Sequence, residues 1–336
     1  MRLELSGSAT TAALSSAVAA RLFYGLALDA SEAANAAWLA APVGFALALP
    51  VIWAFCKVGK GAARPLASLL FVPLSLDAAA AIECTAFSES CLALQHASTA
   101  FLMLPLLLAM LRCAWLGGDA VGGAARISAR LIALLLFIVL LYQLPYFNPG
   151  WLTPIWGTGM TGILHSGIRA AGWIGLLCAS SAIVCEDDLT PQSILPVVLF
   201  ATAAATLLVA LRQMMSPVMT MGHVDRAVSI DALLANGRAP LYLQLPMIVA
   251  WLVGMLHLMA FEGIAACALL HRLFPGLKEG ICIALGLLPI AALSLLRVPR
   301  MGMIREAFPY LYHAMAVSAV ILWIMKGGKA KCAITH

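Results

Sequence analysis

Charge is what this sequence has least of. Only 10% of its 336 residues are Asp, Glu, Lys or Arg, whereas 63% are hydrophobic and the mean hydropathy is +0.99. One soluble core cannot cover that many apolar side chains, so the composition excludes an ordinary water-soluble globular protein. No polar stretch is long enough for a separate soluble domain. The nine cysteines lack any CxxC or CxxH spacing and mostly fall inside apolar runs. That pattern supports neither a zinc site nor a disulfide framework and leaves them as small apolar fillers. Walker loops, nucleophile triads and metal motifs are missing too, so nothing argues for an enzyme and no cofactor is expected. A net charge of +5 suggests nucleic acid in a soluble chain, but here the basic residues stand at the ends of apolar segments.

What is present is a series of runs long enough to cross a bilayer, which takes about 20 mostly apolar residues. They cover 5–28, 34–56, 65–83, 99–116, 127–146, 160–184, 194–214, 241–270, 280–296 and 307–325. The expected architecture is therefore an all-α polytopic membrane protein of about ten helices in a single transmembrane domain. Lys57, Lys60 and Arg64, then Arg112, Arg126 and Arg130, and finally Lys326, Lys329 and Lys331 share one side if both termini are cytoplasmic. The first, third and fifth joints carry no Lys or Arg, as that orientation requires. Arg212, Arg226, Arg238, Arg297 and Arg300 fall on the opposite side and weigh against it. For the first segment, Arg2 and the Ala17-Val18-Ala19 step offer a signal-peptide reading. Its Ser and Thr content and its continuation through LFYGLAL favour an uncleaved span.

Prolines and glycines cluster between the fifth and sixth runs, in PYFNPGWLTPIWGTGMTGILHSGIRAAGWIGLL, residues 145–177. Pro145, Asn148, Pro149, Gly150 and Pro154 suit an external connection. Gly172 and Gly175, flanking Trp173 in mid-span, admit two readings. In the first, the sixth helix is broken and its free backbone groups hold a substrate at the membrane midplane. In the second, the glycines mark a close helix-packing site.

The stretch ISARLIALLLFIVLLYQLPYFNPGWLTPIWGTGMTGIL resembles the fifth span and following loop of the B-subunit family of spore germination receptors. Arg130, Pro154, Gly157 and Gly159 occupy the positions of that family's Arg-initiated helix and leucine-proline-x-x-Gly-x-Gly loop. A second similarity is SPVMTMGHVDRAVSIDALLANGRAPLYLQLPMIVAWLVG, carried by Pro217, Arg238 and Trp251. A third, at Trp38, is similar to the start of the family's second helix. The resemblance implies the inverted-repeat fold of the amino acid, polyamine and organocation transporters, with repeats over about 5–146 and 158–325. It further implies broken helices one and six around a midplane pocket, walled by helices three and eight. The implied role is that of a permease-like subunit in the spore membrane, binding a small nutrient such as an amino acid. Its implied partners are a membrane subunit with soluble domains and a lipoprotein. The chain departs from the family at its helix-one glycine pair, where it has Ala20-Arg21-Leu22. It departs again at the helix-six break, where Trp173 to Leu177 replace a proline- and acid-bearing motif, and beside Arg238, flanked by Gly237 and Ala239.

Ionisable residues inside spans cost a few kcal/mol each and therefore point inward or to a function. Arg21 is the strongest case, either meeting a ligand carboxylate or Glu83, or snorkelling to a headgroup. Tyr24 and Gly25 follow it within a turn. Asp77 and Glu83 lie six residues apart and so face different ways at 100° per residue; Asp77 is the deeper, and each reads either as a proton or ammonium site or, more commonly, as a member of a structural ion pair. Glu262 is flanked by aromatic and apolar residues and reads as a pocket or proton-path residue, with His257, five positions earlier, as a packed or interfacial histidine. The candidate ligand-binding set is thus Arg21, Tyr24, Gly25, Asp77, Gly172, Trp173, Gly175 and Glu262. Glu186-Asp187-Asp188 reads as a solvated loop. Residues 218–236, too polar to span, read as an amphipathic external segment. The functional alternatives are a germinant-receptor subunit, a secondary amino acid or amine transporter, and a scaffold with no ligand.

Overall fold

The computed structural model describes residues 3–33, 36–58, 63–92, 98–153, 159–186, 189–215, 241–296, 310, 313–318 and 321. The helices are α1 (Gly7–Ala33), α2 (Ala37–Val58), α3 (Ala63–Leu92), α4 (Thr99–Leu116), α5 (Gly118–Gln143), α6 (Met160–Val184), α7 (Pro191–Met215), α8 (Leu241–Leu273) and α9 (Glu279–Leu295). Residues 313–318 are helical as well. In hydrocarbon every backbone amide and carbonyl must be paired within its own segment, and apolar runs therefore fold as helices. Six of these, α2, α3, α4, α6, α7 and α8, are long and apolar enough to cross a membrane, and α9 is a shorter apolar helix. The expected external segment at 218–236 and the tail lysines lie outside the described residues.

Most helix limits fall within a few residues of the apolar runs; α3 runs well past its run, to Leu92, and α5 is the more informative exception. It begins at Gly118, well before the run at 127. The intervening GDAVGGAAR looks like a loop by composition, but its small residues let α5 lie directly on α1. A Cβ added to Gly122 would sit 2.4 Å from the Cβ of Ala9, and one added to Gly118 would sit 2.4 Å from Leu5. Gly117 alone forms the turn from α4, at φ 90°, where a Cβ is strained. The proline-rich stretch after α5 makes two short 3-10 turns, Leu144–Tyr146 and Pro149–Leu152, as its turn chemistry suggests.

The break expected in the sixth span is not there. α6 runs as one α-helix from Met160 to Val184, through Gly172, Trp173 and Gly175, and α1 is likewise continuous from Gly7 to Ala33. Glycine lowers helix propensity by only about 1 kcal/mol, and neither region has a proline to remove a backbone bond. The small residues of α6 serve packing instead. A Cβ on Gly44 of α2 would meet the Ala170 Cβ at 2.5 Å, and one on Gly167 would meet Val43 at 2.5 Å. Gly175 packs against Val51 of α2 and Met315. The close-packing reading of the glycines is the one realised.

Burial grades the helices from centre to rim. In α6, 89% of the apolar window is buried and in α8 78%, against 28% in α4 and 33% in α7, so α6 and α8 form the axis of the bundle. Exposed Phe101, Leu108, Phe137, Phe200 and Leu288 form the surface suited to lipid. The packing partners come in pairs that exchange when α1–α4 are mapped onto α6–α9. Thus α1 packs on α7 and α2 on α6, α3 on α4 and α8 on α9, α4 on α8 and α9 on α3, while the α3–α8 contact maps onto itself.

One end of the bundle is closed by the segment before α1. Leu3 and Leu5 are fully buried there. Leu5 N–H donates to the Val184 carbonyl at 3.4 Å, and Glu186 N–H donates back to the Leu5 carbonyl at 2.7 Å. Ser6 donates from both N and Oγ to Asp119 Oδ1, at 3.1 and 2.7 Å, and Arg272 Nη2 donates to Glu4 Oε1 at 2.8 Å. The starts of α1 and α5 and the ends of α6 and α8 therefore meet on one side, which makes α1 and α6 antiparallel. Cys185 lies beneath this strap with no exposed surface. Asp119→Ala removes both Ser6 bonds to its carboxylate and should speed labelling of Cys185 by a membrane-impermeant maleimide about tenfold, read by peptide mass mapping. An unchanged rate would mean that the strap does not guard that end.

Candidate functional site

Four helices each contribute one side chain to a charged centre: Arg21 from α1, Asp77 from α3, Trp173 from α6 and Glu262 from α8. None is more than 2% exposed. Arg21 grips Asp77 with two bonds, Nε donating to Oδ2 at 3.1 Å and Nη2 donating to Oδ1. Its Cζ lies 4.4 Å from the Trp173 ring centroid, so the planar cation is stacked on one side and forked into a carboxylate at its edge. The sequence pointed to Glu83 or a ligand carboxylate as the partner of Arg21, or to a lipid headgroup; the structure pairs it with Asp77. Glu83 is half-buried farther along α3.

Glu262 lies against the same pair, interacting with both Asp77 and Arg21. Neither of its oxygens receives a hydrogen bond from the described residues. Two carboxyls side by side are both acceptors, so a hydrogen bond between them needs a proton, or a third group that donates to both. The trio holds one fixed cation and two acids. A proton or a ligand ammonium would balance the charge.

A second polar cluster lies between α1, α5 and α8, around His257. Ser16 Oγ is 3.0 Å from His257 Nδ1 and Ser128 Oγ is 3.0 Å from Nε2, so the imidazole ties three helices together rather than merely filling space. Both serines escaped the sequence reading, because hydroxyls within apolar runs are common and carry no spacing signal. Arg169, which is 3% exposed on α6, was missed as well. The argument that singled out Arg21, a lone cation inside an apolar run, applies to it equally.

Of the other candidates, Gly172 is buried in mid-α6 and Gly175 faces α2 and Met315, so neither frees backbone groups for a ligand. Tyr24 and Gly25 continue α1, but their surroundings lie outside the described residues. Cys178, Cys267 and Cys282 are buried thiols, in keeping with a filling role. Among the described residues no group of three or more His, Cys, Asp or Glu is placed to hold a metal ion.

No protein-family model matches the chain, that of the spore germination B subunits included, and no curated protein matches it. Its structure, by contrast, is similar to solved structures of the manganese transporter of Eremococcus coleocola. A mutant with a histidine replaced by alanine superposes with a TM-score of 0.51 at 14% identity, covering 95% of this chain and 76% of that one. A mutant with a glutamate replaced by alanine gives 0.52 at 15% identity with the same coverage. At such identity the likeness speaks for the fold. The chain is a multi-pass membrane protein with six apolar helical spans among its described residues, and its fold resembles the LeuT fold of those transporter structures.

Proposed function

We propose that the chain is a permease-like membrane protein that binds a small nutrient, most simply an amino acid, at the Arg21–Asp77–Glu262 centre, and that it serves as a subunit of a spore germinant receptor. The observation that carries the binding part is the convergence of one cation, two acids and an aromatic face from four different helices. An α-amino acid presents a carboxylate and an ammonium, and the centre offers a guanidinium to the first and an unsatisfied carboxyl to the second. For the ligand to bind, Asp77 must yield part of its hold on Arg21, so occupancy favours a rearranged state of the bundle. That is how a binding event becomes a signal. The germinant-receptor part rests on the sequence resemblance, and the paired helix contacts support the two-repeat organisation it implies.

A second reading is a secondary transporter of amino acids or amines, coupled to ions or protons. The fold likeness to transporters favours it, and the carboxyl pair offers a place for a coupled proton. The manganese carried by the similar proteins finds no counterpart ligand set among the described residues.

Equilibrium binding of a labelled amino acid mixture to the purified chain tests the site. Glu262→Gln should weaken binding about 10- to 100-fold by removing a charged partner of the ammonium, with the fold retained. If no amino acid binds, or Glu262→Gln binds as the wild type does, the centre is structural. Counterflow in proteoliposomes containing only this chain then separates the readings, since robust exchange favours the transporter.

A further inference from the structure

On the outside of the bundle, near the strapped end, a groove of about 460 Å³ runs between α1, α5 and α7. Its polar side is built by Ser8, Thr11 and Ser15 of α1 with Arg126 of α5, and its apolar side by Val197 and Phe200 of α7. Residues 8, 11 and 15 are spaced by three and four, so their hydroxyls share one helix face. Arg126 Nη2 donates to Ser8 Oγ at 3.0 Å, and Thr11 Oγ1 donates back to the Ser8 carbonyl at 3.1 Å. Yet Arg126 emerges among side chains suited to lipid: Ile127 is 67% exposed, Leu131 57% and, across the groove, Phe200 72%.

A cation exposed among lipid-facing groups sits at the boundary between hydrocarbon and headgroups, where an anionic lipid lowers its cost. Its depth agrees, because Arg126 lies eight residues into α5, about 12 Å from the start of the helix. Ser8 to Ser15 occupy the first turns of α1 on the same side. The groove is thus amphipathic across its width, with a guanidinium and hydroxyls on the α1–α5 side and apolar surface on the α7 side.

We infer that this groove binds the phosphate headgroup of an anionic phospholipid from the leaflet on the amino-terminal side, with the start of an acyl chain lying on Val197 and Phe200. A free phosphate would use the polar side but gain nothing from the apolar one. The site is separate from the buried centre and does not depend on what that centre binds. By holding α1 to α5 and α7, the lipid would favour the strapped arrangement.

Native mass spectrometry of the full-length purified protein, titrated with phosphatidylglycerol and with phosphatidylcholine of matched chains, tests the inference. Phosphatidylglycerol should bind the tighter, and Arg126→Gln should weaken it about fivefold, the effect of one interfacial cation. Thr11→Leu, which fills the groove while leaving Arg126 in place, should weaken it too and serves if Arg126→Gln fails to fold. Arg112→Gln, which alters an exposed cation of α4 outside the groove lining, should bind as the wild type does. Equal binding of the two lipids, binding insensitive to both groove variants, or displacement of the lipid by millimolar inorganic phosphate would overturn it.

Discussion

The double variant Asp77→Asn/Glu262→Gln should be about 3–5 kcal/mol less stable than the wild-type protein, the loss expected when a buried cation is left without its counter-ion. Arg21 is 1% exposed, so removing both acidic charges leaves its guanidinium in the interior with neither acid of the centre to balance it. Either single variant should lose less. With Asp77 replaced, Glu262 is close enough to serve as the second acid; with Glu262 replaced, the two-bonded Arg21–Asp77 pair is intact. The loss in the double variant should therefore exceed the sum of the two single losses, as for groups that share one partner. Thermal unfolding of the purified protein in detergent, followed by size-exclusion profile, measures all three. A double variant that melts with the wild type would show that the charged centre contributes nothing to holding the four helices together. The same experiment complements the binding test: a loss of stability in the double variant with no ligand binding in the wild type supports a structural centre and rejects a receptor site.

Gly44→Ala should be nearly as damaging for a different reason. The added methyl would stand 2.5 Å from the Ala170 Cβ and 3.0 Å from backbone atoms of α6, and no flexible side chain is present to swing away. α2 must then move off α6, its most extensive neighbour in the bundle. Overpacking of this kind costs typically about 1–3 kcal/mol. Adding Ala170→Gly removes the closest of the clashing atoms and should recover most of the loss, whereas the same change paired with a distant variant should not. Unfolding temperatures of the single and double variants check this, and absence of rescue would mean that the damage arises elsewhere than at the α2–α6 contact.

The site residues were legible to the extent that burying them is expensive. Arg21, Asp77 and Glu262 stand out because a charge within an apolar run must be answered by something, and that cost is written in the one-dimensional sequence. Which charge answers which is not. Asp77 and Glu83 differ by six positions on one helix, and only the rotation of α3 about its axis brings Asp77 rather than Glu83 into two-bond contact with Arg21. The glycines of α6 misled for a related reason. A glycine signals that the backbone is free to deform or to be approached closely, and the neighbouring helix decides between the two. Here α2 presents Gly44 and Val43 at the small residues of α6, so close approach is what occurs.

By itself, the sequence determined that the chain is a membrane protein of many helices, roughly where most of them run, and which buried charges need partners. Apolar length and the cost of an unpaired charge are local quantities, summed along the chain. The continuity of α6, the extension of α5 across a glycine-rich start, the pairing of Arg21 with Asp77 and the amphipathic groove at Arg126 were decided by tertiary structure. Each depends on which face of one helix meets which face of another, and helix rotation and approach are fixed by the packed bundle as a whole.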